Sequence, residues 1–333
     1  MQAMVLHARG APLLWEERPD PQPGPGQIRV RVEACAVCRT DLHLIDGELP
    51  DIRYPIVPGH EIVGIVDLLG SGVSGMAIGQ RVGVAWLGKT CGQCEYCRSN
   101  RENLCDAPEF TGYSRDGGFA THVIAEAAFA IPLQSFAEPA TAAPLLCAGL
   151  IGWRSLLSAG EARTIGLFGF GAAAHITAQV CRWQGRRIFA FTRAGDLAGQ
   201  DFARSLGAVW AGSSLDAPPE KLDAAVIFAP AGELVPAALK AVKKGATVVC
   251  GGIHMSKIPS FAYSLLWGER RLVSVANLTR SDAAGFLPVV EQAQIRTSIT
   301  RYPLREANEA VRDLRDGQIQ GAAVLVTDQE AGR

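Results

Sequence analysis

Four cysteines in one short polar segment constrain this chain more than any other feature of its sequence. They follow the pattern C-x2-C-x2-C-x7-C, and gaps of two residues let neighbouring thiolates turn onto one ion. The segment also carries Gln93, Glu95 and Arg98, which makes it too polar for a core of free thiols. We therefore predict a closed structural zinc site, with a four-thiolate iron centre as the alternative. Its ligands are Cys91, Cys94, Cys97 and Cys105.

Length and charge narrow the class of protein. The 333 residues exceed one ordinary core of about 100 to 200 residues, which predicts two domains. Basic and acidic residues number 32 and 33, so neither nucleic acid nor a membrane is expected as a partner, and a small molecule is. No run approaches the roughly 18 apolar residues of a membrane span, and no apolar leader is evident. We expect a cytoplasmic protein whose nine cysteines stay reduced.

The first part of the chain, to about residue 130, predicts a β-rich domain. Short runs of β-forming residues are separated there by Gly and Pro, the punctuation of turns between strands. The clearest runs are 28–32, 62–68 and 81–85.

A different rhythm follows Pro139. Strand-like and helix-like segments alternate, which predicts a parallel, doubly wound sheet. The strands are predicted at 164–168, 187–192, 224–228 and 247–250, and the helices at 172–183 and 197–206, the second closed by Gly207. The tail, with a helix at 304–315 and a strand at 322–326, is expected to return to the first domain. The predicted domains are therefore 1–140 with 280–333, and 141–279.

A glycine motif opens the alternating part. Gly169, Gly171 and Ala174 form G-x-G-x-x-A directly after a predicted strand and at the start of a predicted helix. In a dinucleotide-binding turn the first glycine bends the chain, the second admits the pyrophosphate, and the third small residue packs helix on sheet. The alternative is an ordinary glycine turn, which the six alternating elements disfavour.

The residues after the second strand of this unit bear on the choice of nucleotide. An acid roughly 20 residues beyond the motif would bind the ribose of NAD, but the chain has Thr192 and Arg193 there. A hydroxyl and a guanidinium suit a 2′-phosphate, and Asp196 is interpreted as a helix N-cap. We predict a preference for NADP(H) over NAD(H). The alternative is that Arg193 points into solvent, in which case the preference would vanish.

Five motifs in a fixed order carry a family resemblance: Cys38-Arg-Thr-Asp-Leu-His43, Pro58-Gly-His-Glu61, the cysteine quartet, Leu146-Cys-Ala-Gly149 and Gly169-Phe-Gly171. Over essentially the whole chain they resemble the zinc-containing medium-chain alcohol dehydrogenases. The resemblance implies a GroES-like catalytic domain beside a Rossmann domain. It also implies two zinc ions per chain, reversible hydride transfer between NAD(P) and a primary or small secondary alcohol, and a homodimer or homotetramer.

The resemblance also implies a catalytic zinc held by Cys38, His60 and Cys147, a set that spacing alone does not identify. Three ligands of mixed sulfur and nitrogen leave a fourth position open, as a catalytic zinc requires. Glu61 matches a carboxylate that transiently coordinates this metal. Asp41 would accept a hydrogen bond from the imidazole of His60; its alternative role is a helix N-cap.

Four further roles follow from the same resemblance. Thr40 and His43 would carry the alcohol proton outward through the cofactor ribose, the alternative being that His43 is a solvent-facing helix residue. Trp86 would wall the substrate pocket and favour small or unbranched alcohols, the alternative being a core aromatic. Arg39 would meet the pyrophosphate, because Ala322 stands where the family often has an arginine.

Other functions remain to be weighed against this one. A related zinc reductase for a polyol, a formaldehyde adduct or a cinnamyl-type aldehyde would share fold and metal. A non-catalytic zinc interaction protein would need the quartet alone, and a zinc-free quinone reductase would have neither metal set. The remaining thiols are interpreted as packed residues: Cys35, Cys181 and Cys250.

Overall fold

The computed structural model describes residues 1–133 and 135–327, and their contacts divide the chain into two compact units. Unit 1 comprises Met1–Cys147, Asn277–Ala283 and the described residues from Thr297 onward, and unit 2 comprises Ala148–Ala276 and Ala284–Arg296. The predicted domain ranges, 1–140 with 280–333 and 141–279, remain a prediction, and 328–333 lie outside the described residues.

Unit 1 is β-rich, as the short runs of β-forming residues predict, and its strands pair antiparallel except for the parallel pair β16 and β17. Its largest sheet has the order β16-β17-β3-β4-β5-β9, with β8 paired to β3. In the first half of β3, Ile28, Val30 and Val32 are buried and alternate with more exposed residues, which gives the sheet one core face. The strands are β1 Gln2–Val5, β2 Leu14–Glu17, β3 Gln27–Val37, β4 Glu61–Leu69, β5 Arg81–Val84, β6 Leu87–Lys89, β7 Glu109–Phe110, β8 His122–Glu126, β9 Ile131–Pro132, and, after the strands of unit 2, β16 Ile299–Pro303 and β17 Ala322–Val326.

Unit 2 is a parallel sheet of six strands. Its order is β12-β11-β10-β13-β14-β15, every pairing is parallel, and the pattern is that of a doubly wound dinucleotide-binding fold. The predicted fold class is confirmed. The strands are β10 Thr164–Phe168, β11 Arg187–Thr192, β12 Ala208–Ser213, β13 Leu222–Ile227, β14 Val242–Cys250 and β15 Arg271–Ser274.

Nine α-helices lie in the described residues, together with short 3-10 turns. Within that part of the chain no single helix is long and apolar enough to cross a membrane; only the broken pair Pro139–Leu146 and Ala148–Ala159 passes that test together. The helices are α1 Arg39–Ile45, α2 Glu95–Arg98, α3 Pro139–Ala142, α4 Ala148–Ala159, α5 Ala172–Trp183, α6 Leu197–Ser205, α7 Leu234–Ala241, α8 Arg280–Gln292 and α9 Ala307–Asp316.

Some predicted boundaries need correction. The predicted strand 224–228 is Leu222–Ile227, and the predicted strand 247–250 is extended backward to Val242 across two lysines and a glycine. The predicted helix 304–315 begins as a 3-10 turn, Leu304–Glu306, before α9. In each case the element ends at a different residue from the one that the apolar run suggests. The ends of an element are set by its partner strands and by packing.

The register of unit 1 brings distant residues to one edge. Ala36, near the end of β3, pairs with Glu61 at the start of β4. Cys38 directly follows β3, and His60 directly precedes β4. Their side chains therefore start from neighbouring strand ends, although 21 residues separate them in sequence.

Candidate active site

The donor atoms of Cys38, His60, Glu61 and Cys147 all lie within 4.8 Å of one another. The Sγ of Cys38 is 3.1 Å from Nε2 of His60. Zinc bonds of about 2.3 Å to sulfur and about 2.0 Å to nitrogen place tetrahedral ligands at separations of this size. The donor set therefore fits a zinc ion, and three of its members are the thiol and imidazole groups that zinc prefers.

Burial and charge make these groups electrostatically interdependent. Burial alone would lower the pKa of His60, but the adjacent Cys38 and Asp41 raise it well above its ordinary value. Burial opposes ionisation of Cys38, yet hydrogen bonds with Cys147 and His60 hold its pKa well below the usual range. The bond to Cys38 and burial raise the pKa of Cys147. Together these shifts favour a thiolate on Cys38 beside a protonated His60, and binding of a metal ion would have to displace the proton of the imidazole.

Glu61 completes the buried set. Burial, reinforced by the charge of Cys38, raises the pKa of its carboxyl group well above the ordinary value. Within the described residues, Oε1 of Glu61 and Nδ1 of His60 are buried without a hydrogen-bond partner. Such atoms are rare in a folded interior. An ion in the donor cluster would account for Oε1 of Glu61, whereas Nδ1 of His60 is on the side of the ring that faces Asp41.

Asp41 is not the N-cap of α1, which is Cys38, but the third residue of that helix and the second member of its capping box. Its Oδ2 accepts from the backbone N–H of Cys38 at 2.9 Å, and a capping box closes the start of α1. Its Oδ1 accepts from the N–H of Gly59 at 3.2 Å and lies 3.4 Å from Nδ1 of His60. One buried carboxylate thus ties both ligand-bearing segments together.

Helix α1 carries the residues assigned to proton movement. Thr40 is buried, and its backbone N–H donates to Sγ of Cys38 at 3.3 Å. His43 lies one turn later, and its Nδ1 is 2.5 Å from Oε2 of Glu48. The sequence did not single out Glu48, because an acid five residues beyond a histidine has no distinctive spacing.

Trp86 lies beside the donor set. Its indole meets the imidazole of His60 edge to face, with 4.8 Å between centroids. Phe110 and Tyr113 stack on the indole at 5.1 Å and 5.7 Å. The sequence shows that Trp86 closely follows a strand, but nothing in it indicates that Phe110 and Tyr113 stack on the indole.

The cysteine quartet is assembled as its spacing predicts. The four sulfur atoms lie within 4.8 Å of one another, all four thiols are free, and backbone N–H groups of Cys91 and Cys94 point at neighbouring sulfurs, at 3.2 Å and 3.3 Å. Backbone N–H groups, first that of Asp106, lower the pKa of Cys94 to about 6, whereas burial raises that of Cys105 to about 11. Four sulfurs without an open position are the donor set of a structural zinc.

The glycine motif of unit 2 has the conformation that its residues require. Gly169 has φ +88°, and a Cβ there would lie 2.9 Å from the backbone nitrogen of Ala229. Gly171 precedes α5, and open space surrounds the position its Cβ would take. Ala174 is fully buried. The helix N-terminus is therefore open to a phosphate group, which its backbone N–H groups attract.

The residues after β11 are divided in orientation. The hydroxyl of Thr192 is buried, accepts from Nε2 of Gln200 at 3.3 Å and donates to the carbonyl of Arg193 at 3.2 Å. Arg193 is exposed. Asp196 is the N-cap of α6, as interpreted, and accepts from the N–H of Gly199 at 2.8 Å. Arg193 and Asp196 are therefore both exposed, and an exposed Arg193 is the alternative considered above to a preference for NADP(H).

The remaining assigned residues are located as follows. Arg39 is exposed on the first turn of α1. Cys35 and Cys181 are buried, and Cys250 is half-buried; burial raises the pKa of Cys181 to about 12. These three thiols lie outside both cysteine clusters.

Comparison with known proteins places the chain in a family. Residues 24–135 match the alcohol dehydrogenase GroES-like domain. A Mycobacterium tuberculosis protein described as "Probable alcohol dehydrogenase AdhA" is 46% identical over 314 residues, 92% of this chain and 90% of that protein. Acetophenone reductase from Geotrichum candidum, solved in complex with NAD, has a TM-score of 0.88 at 26% identity, covering 98% and 96% of the two chains. A cobalt- and zinc-bound alcohol dehydrogenase from Pyrobaculum aerophilum shares the fold, with a TM-score of 0.89 at 21% identity and coverage of 98% and 99%. The chain belongs to the zinc-containing medium-chain alcohol dehydrogenases.

Proposed function

We propose that this chain catalyses reversible hydride transfer between a nicotinamide dinucleotide and a primary or small secondary alcohol, with the aldehyde or ketone as the other product. The observation that carries the proposal is the buried donor set around Cys38, in a chain that also has an open glycine turn before α5. The set supplies a metal position, and the turn supplies a phosphate position.

The metal would be held by Cys38, His60 and Cys147, with Glu61 as the neighbouring carboxylate. A zinc ion with an open position acts as a Lewis acid that makes the hydroxyl proton of a bound alcohol easier to remove. Asp41 would keep the imidazole of His60 oriented, because its Oδ1 lies 3.4 Å from Nδ1 of that ring and accepts a hydrogen bond from the N–H of Gly59. The quartet would hold a second zinc with no catalytic role, giving two ions per chain.

The proton would leave along α1. We assign its acceptance to the hydroxyl of Thr40 and its release to the imidazole of His43. Glu48, 2.5 Å from Nδ1 of His43, would hold this ring so that Nε2 is the atom that exchanges the proton. Trp86 would wall the pocket beside His60.

For the nucleotide, Gly169, Gly171 and Ala174 would receive the pyrophosphate at the start of α5. We assign Arg193 to a 2′-phosphate, which favours NADP(H), and Arg39 to the pyrophosphate. The buried Thr192 hydroxyl would contribute little to this choice, because its bonds are made within unit 2.

We also propose a homodimer or homotetramer. Strand β15 lies at the edge of the parallel sheet. The segment before it exposes Tyr263 and Trp267 at 68% and 66%. Large apolar side chains beside a sheet edge favour association between copies. Light scattering on the purified chain should give twice or four times the mass of one chain, and a monomer would contradict this assignment.

The activity is tested on purified, zinc-loaded protein. Short primary and secondary alcohols, a cinnamyl-type alcohol and a polyol should each be offered with NADP⁺ and with NAD⁺, and absorbance of the reduced nucleotide followed. We expect turnover of small alcohols and loss of it in Cys147→Ser. One zinc ion per chain without turnover of any substrate would instead indicate a non-catalytic zinc protein that uses the quartet alone.

A further inference from the structure

A cluster of three aromatic rings adjoins the donor set in unit 1. The centroids of Trp86, Phe110 and Tyr113 are separated by 5.1, 5.7 and 6.2 Å. Phe110 and Tyr113 are close to each other as well as to the indole, whereas rings on opposite faces of it would be much farther apart. They therefore cover the indole from one side. The indole itself is 7% exposed, and its edge-to-face contact is with His60.

Residues 110–118 form the turn that bears these two rings, and hydrogen bonds fix it both to Trp86 and to the segment before His60. The N–H of Thr111 donates to the carbonyl of Trp86 at 2.9 Å. Downstream, the N–H groups of Gly117 and Gly118 donate to Val57 and Gly59 at 2.8 Å and 2.9 Å. The turn therefore holds Trp86 on one side and the segment leading to His60 on the other.

Close backbone contact makes this arrangement rigid. Gly112 has φ +76°, and a Cβ there would lie 2.8 Å from the backbone of Gly59. A Cβ on Gly117 would lie 2.1 Å from the carbonyl oxygen of Gly59. In addition, the hydroxyl of Tyr113 donates to the carbonyl of Pro50. The ring of Tyr113 is thus held by its own turn and by the loop that follows α1.

We propose that Tyr113 is a positioning residue for substrate size: its ring fixes the indole of Trp86 beside His60, and the fixed indole excludes branched and aromatic alcohols. This inference rests on the proposed function. An aromatic ring stacked on an indole restricts its rotation. Without that ring, the indole can turn away and leave room for a bulkier alcohol.

Tyr113→Leu tests the proposal, and Tyr113→Phe is the conservative variant. We measure kcat and KM for ethanol and for a branched and a benzylic alcohol. In Tyr113→Leu, kcat/KM for the bulky alcohols relative to ethanol should rise at least tenfold, mainly through KM. In Tyr113→Phe the ratio should stay within about threefold of the parent, because the ring and the backbone bonds of its turn remain. Phe110→Leu, which removes the other ring, should change the ratio in the same direction and gives a second test if Tyr113→Leu does not fold.

Tyr302→Leu is the matched control. It removes a tyrosine from the same unit, where the hydroxyl donates to Asp313 at 2.8 Å, away from the aromatic cluster. It should lower stability without changing the ratio between alcohols. If Tyr302→Leu shifts the ratio as much as Tyr113→Leu, the effect is general loosening and the proposal is wrong.

A spectroscopic measurement keeps the test independent of turnover. The contribution of Trp86 to the near-UV circular dichroism is obtained by subtracting the spectrum of the Trp86→Phe derivative from that of the protein that retains Trp86. This difference should collapse in the Tyr113→Leu background and persist in the Tyr113→Phe background. An unchanged Trp86 signal in Tyr113→Leu, or an unchanged alcohol ratio in a folded, zinc-loaded Tyr113→Leu, would overturn the proposal. Failure of the parent itself to oxidise any alcohol would instead defeat the proposed function, and the spectroscopic result would still decide whether Tyr113 fixes the indole.

Discussion

Arg193 follows the second strand of the parallel sheet and is exposed, whereas the Thr192 hydroxyl beside it is buried in bonds to its own unit. The choice between nucleotides therefore depends on one guanidinium. A charge-assisted contact to phosphate contributes about 1.5 to 3 kcal/mol. Arg193→Ala should raise the KM for NADP(H) at least tenfold and leave that for NAD(H) nearly unchanged.

The control for this variant is Arg187→Ala, which removes an exposed arginine of the same unit, paired with Glu220 at 2.6 Å. Steady-state kinetics with both nucleotides should show no change in selectivity there. Equal efficiency of the parent with NADP(H) and NAD(H), or equal losses for both in Arg193→Ala, would remove the assignment.

His175 links the folded state of unit 2 to pH. It lies in the first turn of α5, fully buried, and burial lowers its pKa to about 4. The unfolded chain binds this proton near pH 6.5, so between pH 6.5 and 4 the unfolded state takes up a proton that the native state does not. Stability must therefore fall as the pH falls through this window, by about 2 to 3 kcal/mol at pH 4.5 for a group this buried.

His175→Gln removes that titration. The free energy of unfolding in urea, measured for parent and variant at pH 7 and pH 4.5, should decline more steeply in the parent by about 2 to 3 kcal/mol. Loss of metal on acidification affects both proteins alike and cancels in the comparison. Parallel declines would show that His175 is not the responsible group.

At the scale of elements, an ion pair fastens the segment that carries the quartet. The carboxylate of Glu102 accepts from Nη2, Nε and the backbone N–H of Arg280, at 2.6, 3.1 and 2.8 Å. Burial alone would raise the pKa of Glu102, but the hydrogen bonds and charge of Arg280 lower it. The guanidinium also lies 4.6 Å from the ring of Phe129. The start of α8 is thereby joined to the 3-10 turn between Cys97 and Cys105.

Glu102→Gln should lower the free energy of unfolding by about 1 to 2 kcal/mol, less than a fully buried pair because Arg280 is half exposed. Glu95→Gln is the matched control in the same segment, since its pair with Arg101, at 3.4 Å, is exposed on both sides and should contribute under about 0.5 kcal/mol. Chemical denaturation of both variants decides the matter: equal effects would mean that the Arg280 contact contributes no more than a surface pair.

Elements with clear local signals were predicted well from the sequence. The predictions for Thr164–Phe168, Ala172–Trp183 and Ala322–Val326 match their observed bounds, because glycines or an unbroken apolar run define their limits. Strand β14 contains two lysines and a glycine, all exposed, so local preference opposes its first half. Pairing with β13 at Val242 and again from Thr247 keeps this segment in the sheet.

The site shows the same division between local and distant information. The spacing of the quartet determines its assembly, because its cysteines are near one another in the chain. The contacts of Glu48 with His43, and of Phe110 and Tyr113 with Trp86, depend on how separate loops meet. No period or motif encodes such contacts, and only the folded structure identifies them.

In the chain as a whole, the two donor sets that contain cysteine belong to unit 1 and the glycine turn belongs to unit 2. The two donor sets differ in the kind of chain segment they join. The quartet lies within the single segment that connects β6 and β7, whereas Cys38, His60 and Cys147 come from three separate parts of the unit. The quartet consists of four thiols, whereas the second set combines two thiols with a buried imidazole and a buried carboxyl group. The metals of the two sets should therefore have separable effects.

We therefore predict that removing one ligand from each set gives opposite phenotypes. Cys94→Ser should bind one zinc ion, lose thermal stability by several degrees, and still oxidise alcohol below its melting temperature, because a structural zinc contributes folding free energy. Cys147→Ser should also bind one zinc ion but stay folded without turnover, because a catalytic zinc needs its full ligand set. Cys250→Ser, which removes a thiol outside both sets, should keep two ions, stability and activity. Metal analysis, calorimetry and turnover on the three variants test this directly. If Cys94→Ser abolishes turnover in a folded chain, or if the parent binds one ion and still oxidises alcohol, the two sets do not have the separate roles assigned to them.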